Sequence, residues 1–196
     1  MREAIETDLG EYVVQLAGDT PYHIIAPAIH MSKEDVSELL HDKLGARRHK
    51  EISELASEAR SQLRDEFIQA DMGITGANFA VAETGTLALV TNEGNGRMCT
   101  SMPRIHVALL GMERLIPSME DLGLFLRLLI RSATGQRLTS YVTTVNGPLL
   151  EEDEDGPEEL HVVIVDNGRT RMLADPEMRE ALYCLRCGAC LNVCLW

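Results

Sequence analysis

The chain has 196 residues, of which 45% are hydrophobic and 25% charged, which is the composition of one globular protein with an ordinary core. Its net charge of −13 argues against a nucleic-acid surface, because a phosphate backbone demands a basic face. No apolar run approaches the roughly 20 residues that a membrane helix needs, and Met1-Arg2-Glu3-Ala4-Ile5-Glu6 lacks the apolar core of a secretion signal; the expectation is a cytoplasmic protein with no membrane span.

In chain order, Tyr12 to Leu16 is compatible with a strand or a helix, and the apolar run Tyr22 to Ala26 stops at Pro27. Ser32 and Asp35 have capping-box spacing ahead of Val36, Leu39, Leu40 and Leu44, which predicts a helix ending at Gly45. A second helix is expected from about Glu51 to Ala70, with Ile52, Leu55, Ala56, Ala59, Leu63 and Phe67 on one side. The texture changes after Asp71. Five glycines fall between Gly73 and Gly96, with Thr86–Thr91 between them reading as a strand buried on both faces. Ile105–Leu110 is a further strand. A helix follows from Ser118, capped with Asp121 and apolar almost all round from Leu122 to Ile130, so it is expected to be buried. Ser140–Val145, a turn at Asn146-Gly147-Pro148, the acidic run Glu151–Glu159, a strand His161–Val165 and a tight turn at Asp166–Arg169 complete the domain. Asp175-Pro176 opens a short helix leading to the cysteines. Helices alternating with doubly buried strands predict an α/β fold with a largely parallel sheet. The acidic run reads as a solvated loop, with a docking patch as the alternative.

Cys184, Cys187, Cys190 and Cys194 are spaced C-x2-C-x2-C-x3-C, the run that bacterial-type ferredoxins use to hold a [4Fe–4S] cluster. Two-residue gaps let three thiolates converge on neighbouring iron corners, and Gly188 and Ala189 let the backbone come close. A four-cysteine zinc site is the alternative, but such sites usually use two separated pairs. In two-cluster ferredoxins the fourth cysteine binds the other cluster and a proline follows it; here Leu195 and Trp196 follow and no second run is present, which predicts a fragment. In the centre, Gly73–Asn78, Glu83–Thr86 and Thr91–Arg97 surround strand ends where α/β sheets bind ligands. There backbone amides with Arg97 and Arg104 can hold a small carboxylate. Glu83 and Glu93 are the candidate catalytic carboxylates, the alternative being that both cap turns. His106 and His161 read as hydrogen-bonded core residues, and Cys99 as a small buried one.

The stretches ETDLGEY (Glu6–Tyr12), HIIAPAIH (His23–His30), GITGANFAVAETGTLALVTNEGNGR (Gly73–Arg97), RSATGQ (Arg131–Gln136) and DGPEELHVVIVDNGR (Asp155–Arg169) resemble the LUD-domain proteins of lactate utilisation. With LADPEMREALYCLRCGACLNVC (Leu173–Cys194), the chain is similar to the iron–sulfur members of that family. The resemblance implies a LUD domain over residues 1–175, incomplete at its N-terminus, with the fold of ribose-5-phosphate isomerase, glucosamine-6-phosphate deaminase and CoA transferases. It also implies that residues 176–196 are the first half of a two-cluster ferredoxin-like segment. Cys184, Cys187 and Cys190 would bind one [4Fe–4S] cluster and Cys194 the second. The implied role is electron transfer, alongside two partner proteins, in oxidising L-lactate to pyruvate. It assigns no role to Glu83 or Glu93. The competing expectation is a ligand-binding or transferase-like LUD enzyme whose cluster is structural.

Overall fold

A computed structural model of the chain describes residues 4–194; the expectations that rest on Met1–Glu3 and on Leu195-Trp196 lie outside them. The chain divides into two compact units, Met1–Gln69 and Ala70–Trp196.

The first unit is helical. Tyr12–Leu16 is helix, inside α1 (Leu9–Ala17), because Asp8 accepts the Gly10 amide at the N-cap and Gly18 turns left-handed (φ +70°) at the other end. Helix α2 (Lys33–Leu44) has the full capping box between Ser32 and Asp35 and stops at Gly45 (φ +69°). Helix α3 (Ile52–Gln69) buries Leu55, Ala59 and Leu63, while Ile52, expected on the apolar side, is exposed at the helix start. Tyr12 packs with Ala59 and Leu63, and Leu40 with Ala46 and Leu55. Tyr22–Ala26 forms no regular element, and Tyr22 and Ile24 face solvent.

The second unit is α/β and contains β1 (Met72–Gly76), β2 (Phe79–Val81), β3 (Leu87–Thr91), α4 (Asn95–Ser101), β4 (Ile105–Gly111), β5 (Leu115–Ile116), α5 (Met119–Thr134), β6 (Tyr141–Val145), β7 (Glu159–Val165), α6 (Arg169–Ala174) and α7 (Ala189–Asn192). One sheet, of order β1-β4-β7, is parallel throughout. The other, β5-β2-β3-β6, is mixed, and β3 runs antiparallel to both of its neighbours. The parallel-sheet expectation therefore holds for half of the architecture. Double burial of β3 does not report its direction, because it arises from the layers on either side. Leu87 and Leu89 share a core with Ala108 and Leu110 of the parallel sheet, whereas Ala88 faces Leu122 and Leu129 of α5. Each large side chain so enclosed, such as Phe79 at 1% exposure, contributes roughly 1.5–3 kcal/mol.

Helix α5 departs from its expectation of all-round burial. Leu122, Leu129 and Ile130 are buried, but Leu124 and Leu128 are 49% and 45% exposed: the helix covers a sheet on one side and has no described layer on the other. Helix α4 lies close on β1, so closely that a Cβ on Gly73 would run into the Cys99 carbonyl oxygen. After β7 the chain reverses through Asn167 (φ +42°) and Gly168 (φ +85°) into α6. A 3-10 turn at Arg179–Tyr183 then delivers the cysteine segment. Among the described residues, no helix is long and apolar enough to cross a membrane.

Candidate functional site

The cysteine segment is seated on the second unit by apolar and ionic contacts. Leu185 and Cys187 pack against the core formed by Phe79, Val81, Ala88, Ile116, Leu122 and Leu129. Arg186, between them in sequence, reaches Glu113 with its Nε 2.9 Å from Oε1. Glu113 belongs to the 3-10 turn Met112–Arg114 that ends β4, and its side chain is only 4% exposed. A second guanidinium, that of Arg169 at the start of α6, pairs with its other carboxylate oxygen. Burial alone would push the Glu113 carboxyl up; the Arg169 hydrogen bond and the charges of Arg169 and Arg186 outweigh it and hold the group below the usual carboxylate range. The carboxylate is therefore ionised, and one buried anion ties together the ends of β4 and β7 and the cysteine loop. Gly111 makes room for it, since a Cβ there would collide with the Glu113 carboxylate.

Arg114 adds a third guanidinium. Its Cζ lies 5.9 Å from the centre of the Phe79 ring, and its Nη1 is buried without a hydrogen-bond partner. Burial pushes its pKa down, Glu113 opposes that and Arg186 adds to it, and Cys184 and Cys187 are near enough to act on it as well. A cavity of about 240 Å³ adjoins this cluster, lined by Glu113, Arg169, Cys184 and Arg186 among others.

All four cysteines of the run are free thiols; Cys184, Cys190 and Cys194 are exposed and Cys187 is partly covered. The Arg186 amide donates to Cys184 Sγ at 3.4 Å, and Arg186 (φ +52°) and Gly188 (φ +75°) bend the loop. Unpaired thiols, an amide given to sulfur and left-handed turns between the cysteines fit the donor set of an iron–sulfur loop. Among the described residues, no three His, Cys, Asp or Glu side chains form a group that could hold a metal ion, so the structure does not bring Cys184, Cys187, Cys190 and Cys194 together.

The other predicted residues separate. Glu83 lies in the turn between β2 and β3, where its Oε2 accepts the Met119 amide at 3.4 Å and its own amide donates to Pro117; it caps α5. Glu93 is exposed beyond the other end of β3, and its carbonyl accepts the Thr91 hydroxyl. Arg104 is engaged by Glu159 at 2.7 Å and Glu158 at 3.4 Å, so it is not available for a carboxylate ligand. Arg97 lines an open cavity of about 490 Å³ with Thr100, Ser101 and Thr144, and with Asp153 and Asp155 of the acidic loop. His106 is fully buried and bonded to Thr75 Oγ1 at 2.8 Å, its pKa pushed down by burial, as expected of a core histidine. His161 is a correction: it is exposed on β7 and pairs with Glu159 at 3.1 Å, because β7 is an edge strand whose side chains face outward. Cys99 is buried. Glu113, Arg114 and Arg169 were not among the residues predicted from sequence; the available signal was Arg186, a cation set inside the cysteine run that calls for a buried anion elsewhere.

A family model described as the LUD domain matches residues 2–165. The chain is similar to Lactate utilization protein B from Shouchella clausii at 53% identity, from Macrococcus caseolyticus at 51% and from Bacillus licheniformis at 50%. Each match runs over 193 residues and covers 98% of this chain and 40% of the relative. The chain thus spans about 40% of the length of these curated relatives. Among solved structures, a DUF162 family protein from Deinococcus radiodurans is 22% identical, with a TM-score of 0.40 over 52% of this chain and 57% of that one. With the LUD-domain model matched from residue 2 to the end of β7, the chain belongs to the LUD-domain family.

Proposed function

We propose that this chain is the LUD-domain part of an iron–sulfur electron-transfer subunit that serves the oxidation of L-lactate to pyruvate in the cytoplasm, working with two partner proteins. Cys184, Cys187 and Cys190 would hold one [4Fe–4S] cluster, and Cys194 would serve a second whose remaining ligands come from a further cysteine run. The observation that carries the reading is the C-x2-C-x2-C-x3-C run of free thiols in a bent loop that already donates an amide to Cys184 sulfur. A bound cluster supplies one-electron transfer. The chain's own residues do the rest: Leu185 and Cys187 dock the loop on the α5 core, and Glu113 fixes it through Arg186. The names of the relatives support the lactate assignment. Anaerobic reconstitution with iron and sulfide of a longer polypeptide carrying both cysteine runs tests the reading. A brown protein with a reduced-cluster EPR signal is expected; a colourless, EPR-silent protein, or one that takes up zinc and no iron, rejects it.

A second reading, in which the LUD part binds a small carboxylate or acts as a transferase-like enzyme with a structural cluster, draws on the cavity around Arg97. Asp153 and Asp155 in the same lining disfavour an anion there. Calorimetric titration of L-lactate into the protein and into Arg97→Gln decides it: binding lost in the variant supports the reading, and no binding to either removes it.

A further inference from the structure

The parallel sheet of the second unit is covered on one face only. Its register sets Ile74 beside Val107 and Leu109 beside Val163. Alternation along each strand sends these side chains, with Met72 and Val165, to the face opposite Ala108 and Leu110. Ala108 and Leu110 are buried against the mixed sheet, whereas Met72, Ile74, Leu109, Val163 and Val165 are 37–44% exposed. Both crossover helices lie on the inner side. Helix α4, between β1 and β4, comes so close to Gly73 there that its Cys99 carbonyl leaves no room for a Cβ. Helix α5, between β4 and β7, packs on the mixed sheet. The helices of the first unit spend Tyr12, Leu40, Leu55 and Leu63 on one another. The bare outer face is apolar and ends at a polar rim, where Arg104 pairs with Glu158 and Glu159, and Glu159 with His161. A contiguous apolar patch rimmed by polar groups marks an interaction surface.

We propose that the outer face of the β1-β4-β7 sheet is the seat of amphipathic helices contributed by the rest of the full-length polypeptide, outside these 196 residues. Two observations select that occupant. The matched relatives are covered over only 40% of their length, so the larger part of each lies outside the match and is available to supply the layer. The surface itself calls for helices: purely parallel sheets occur with both faces under helices, whereas sheet-on-sheet packing belongs mainly to antiparallel sandwiches, which disfavours a second copy laid face to face. The covering helices would set their apolar stripe on Ile74, Val107, Leu109 and Val163 and their polar side toward water. The inference shares with the function proposed above only the premise of a longer protein; it needs no cluster.

The test is photo-crosslinking of the full-length protein with p-benzoylphenylalanine in place of Leu109, the crosslinked peptides being mapped by mass spectrometry. A crosslink within one polypeptide to residues outside the present chain is expected. A crosslink between two copies, or to residues of the present chain, overturns the proposal. Should the variant fail to fold or form no crosslink, hydroxyl-radical footprinting of the unaltered full-length protein decides, read beside the 196-residue chain at the same low concentration. Ile74, Leu109 and Val163 are expected to escape oxidation in the full-length protein, at a dose that modifies the exposed Leu138, and to be modified in the shorter chain. Modification of the three in the full-length protein in step with Leu138, equal protection in both proteins, or protection that fades on dilution overturns the proposal. Cluster uptake enters none of these readouts, so a full-length protein without iron–sulfur would reject the function proposed above and leave this result standing.

Discussion

At the scale of single residues, two positions carry unequal balances of forces that can be read in solution. Glu11 stands in the first turn of α1, three residues after the N-cap Asp8, with a hydrogen bond between the two carboxyls. Burial first, then Asp8, raises its pKa from the ordinary 4.5 to about 7. A carboxyl whose folded value lies above its unfolded one binds more protons in the folded state. Stability is therefore present in full below about pH 4.5 and falls as the pH rises to about 7. Replacing Glu11 by Gln should flatten that slope and raise stability at pH 8 by on the order of 1 kcal/mol once solvent screening is allowed for, with a higher melting temperature there. Thermal melts across pH 4 to 8 check it; an unchanged slope would show that the pair titrates normally. Gly73 is the second position. The Cys99 carbonyl against its Cα is backbone of α4 and cannot swing aside as a side-chain tip would. Gly73→Ala should cost roughly 1–3 kcal/mol, as overpacking does, measured by urea denaturation.

At the scale of elements, local signals set the helices and long-range pairing set everything else. Ser32 with Asp35, Ser118 with Asp121, Gly45, and the Asp166–Gly168 turn all act within a few residues of themselves, and each was legible in the sequence at the place where the structure uses it. The direction of β3 was not, because a strand enclosed on both faces has the same composition whether its neighbours run with it or against it. The exposed side of α5 was not legible either: Leu124 and Leu128 signal burial by type, yet the helix has only one sheet beneath it. The Glu113 cluster was hidden for a related reason, since its members stand at the ends of β4 and β7 and inside the cysteine run and meet only in three dimensions. The same distinction separates two contacts at the start of α5. Ser118 accepts the Asp121 amide and its hydroxyl donates to the Asp121 carboxylate, so Ser118→Ala should cost about 1 kcal/mol. Glu83 contributes one long bond from an exposed position, so Glu83→Gln should change stability by less than about 0.5 kcal/mol in thermal melts. A loss as large as that of Ser118→Ala would show that Glu83 anchors the start of α5 by more than this one bond.

At the scale of the molecule, the two sheets are protected unequally. The mixed sheet has α5 on one face and the parallel sheet's Ala108 and Leu110 on the other. The parallel sheet ends in β7, an edge strand on which Val162, Val163, Ile164 and Val165 are 37–52% exposed. Parallel sheets in globular proteins are usually covered on both faces, and an edge of exposed β-branched residues with unpaired backbone groups is a template for pairing with another chain. His161 and Glu159, paired at the start of the strand, are the polar groups that interrupt this edge. The chain by itself should therefore self-associate as its concentration rises. A lysine at the most exposed of the four, Ile164→Lys, should suppress that association and change the melting temperature little, because the side chain it replaces is already half in water. Sedimentation velocity over a concentration series, read beside thermal melts, separates the two effects. A variant that associates as the parent does would show that the edge is not the surface through which the chains meet, and a variant that is strongly destabilised would show that Ile164 is covered in solution.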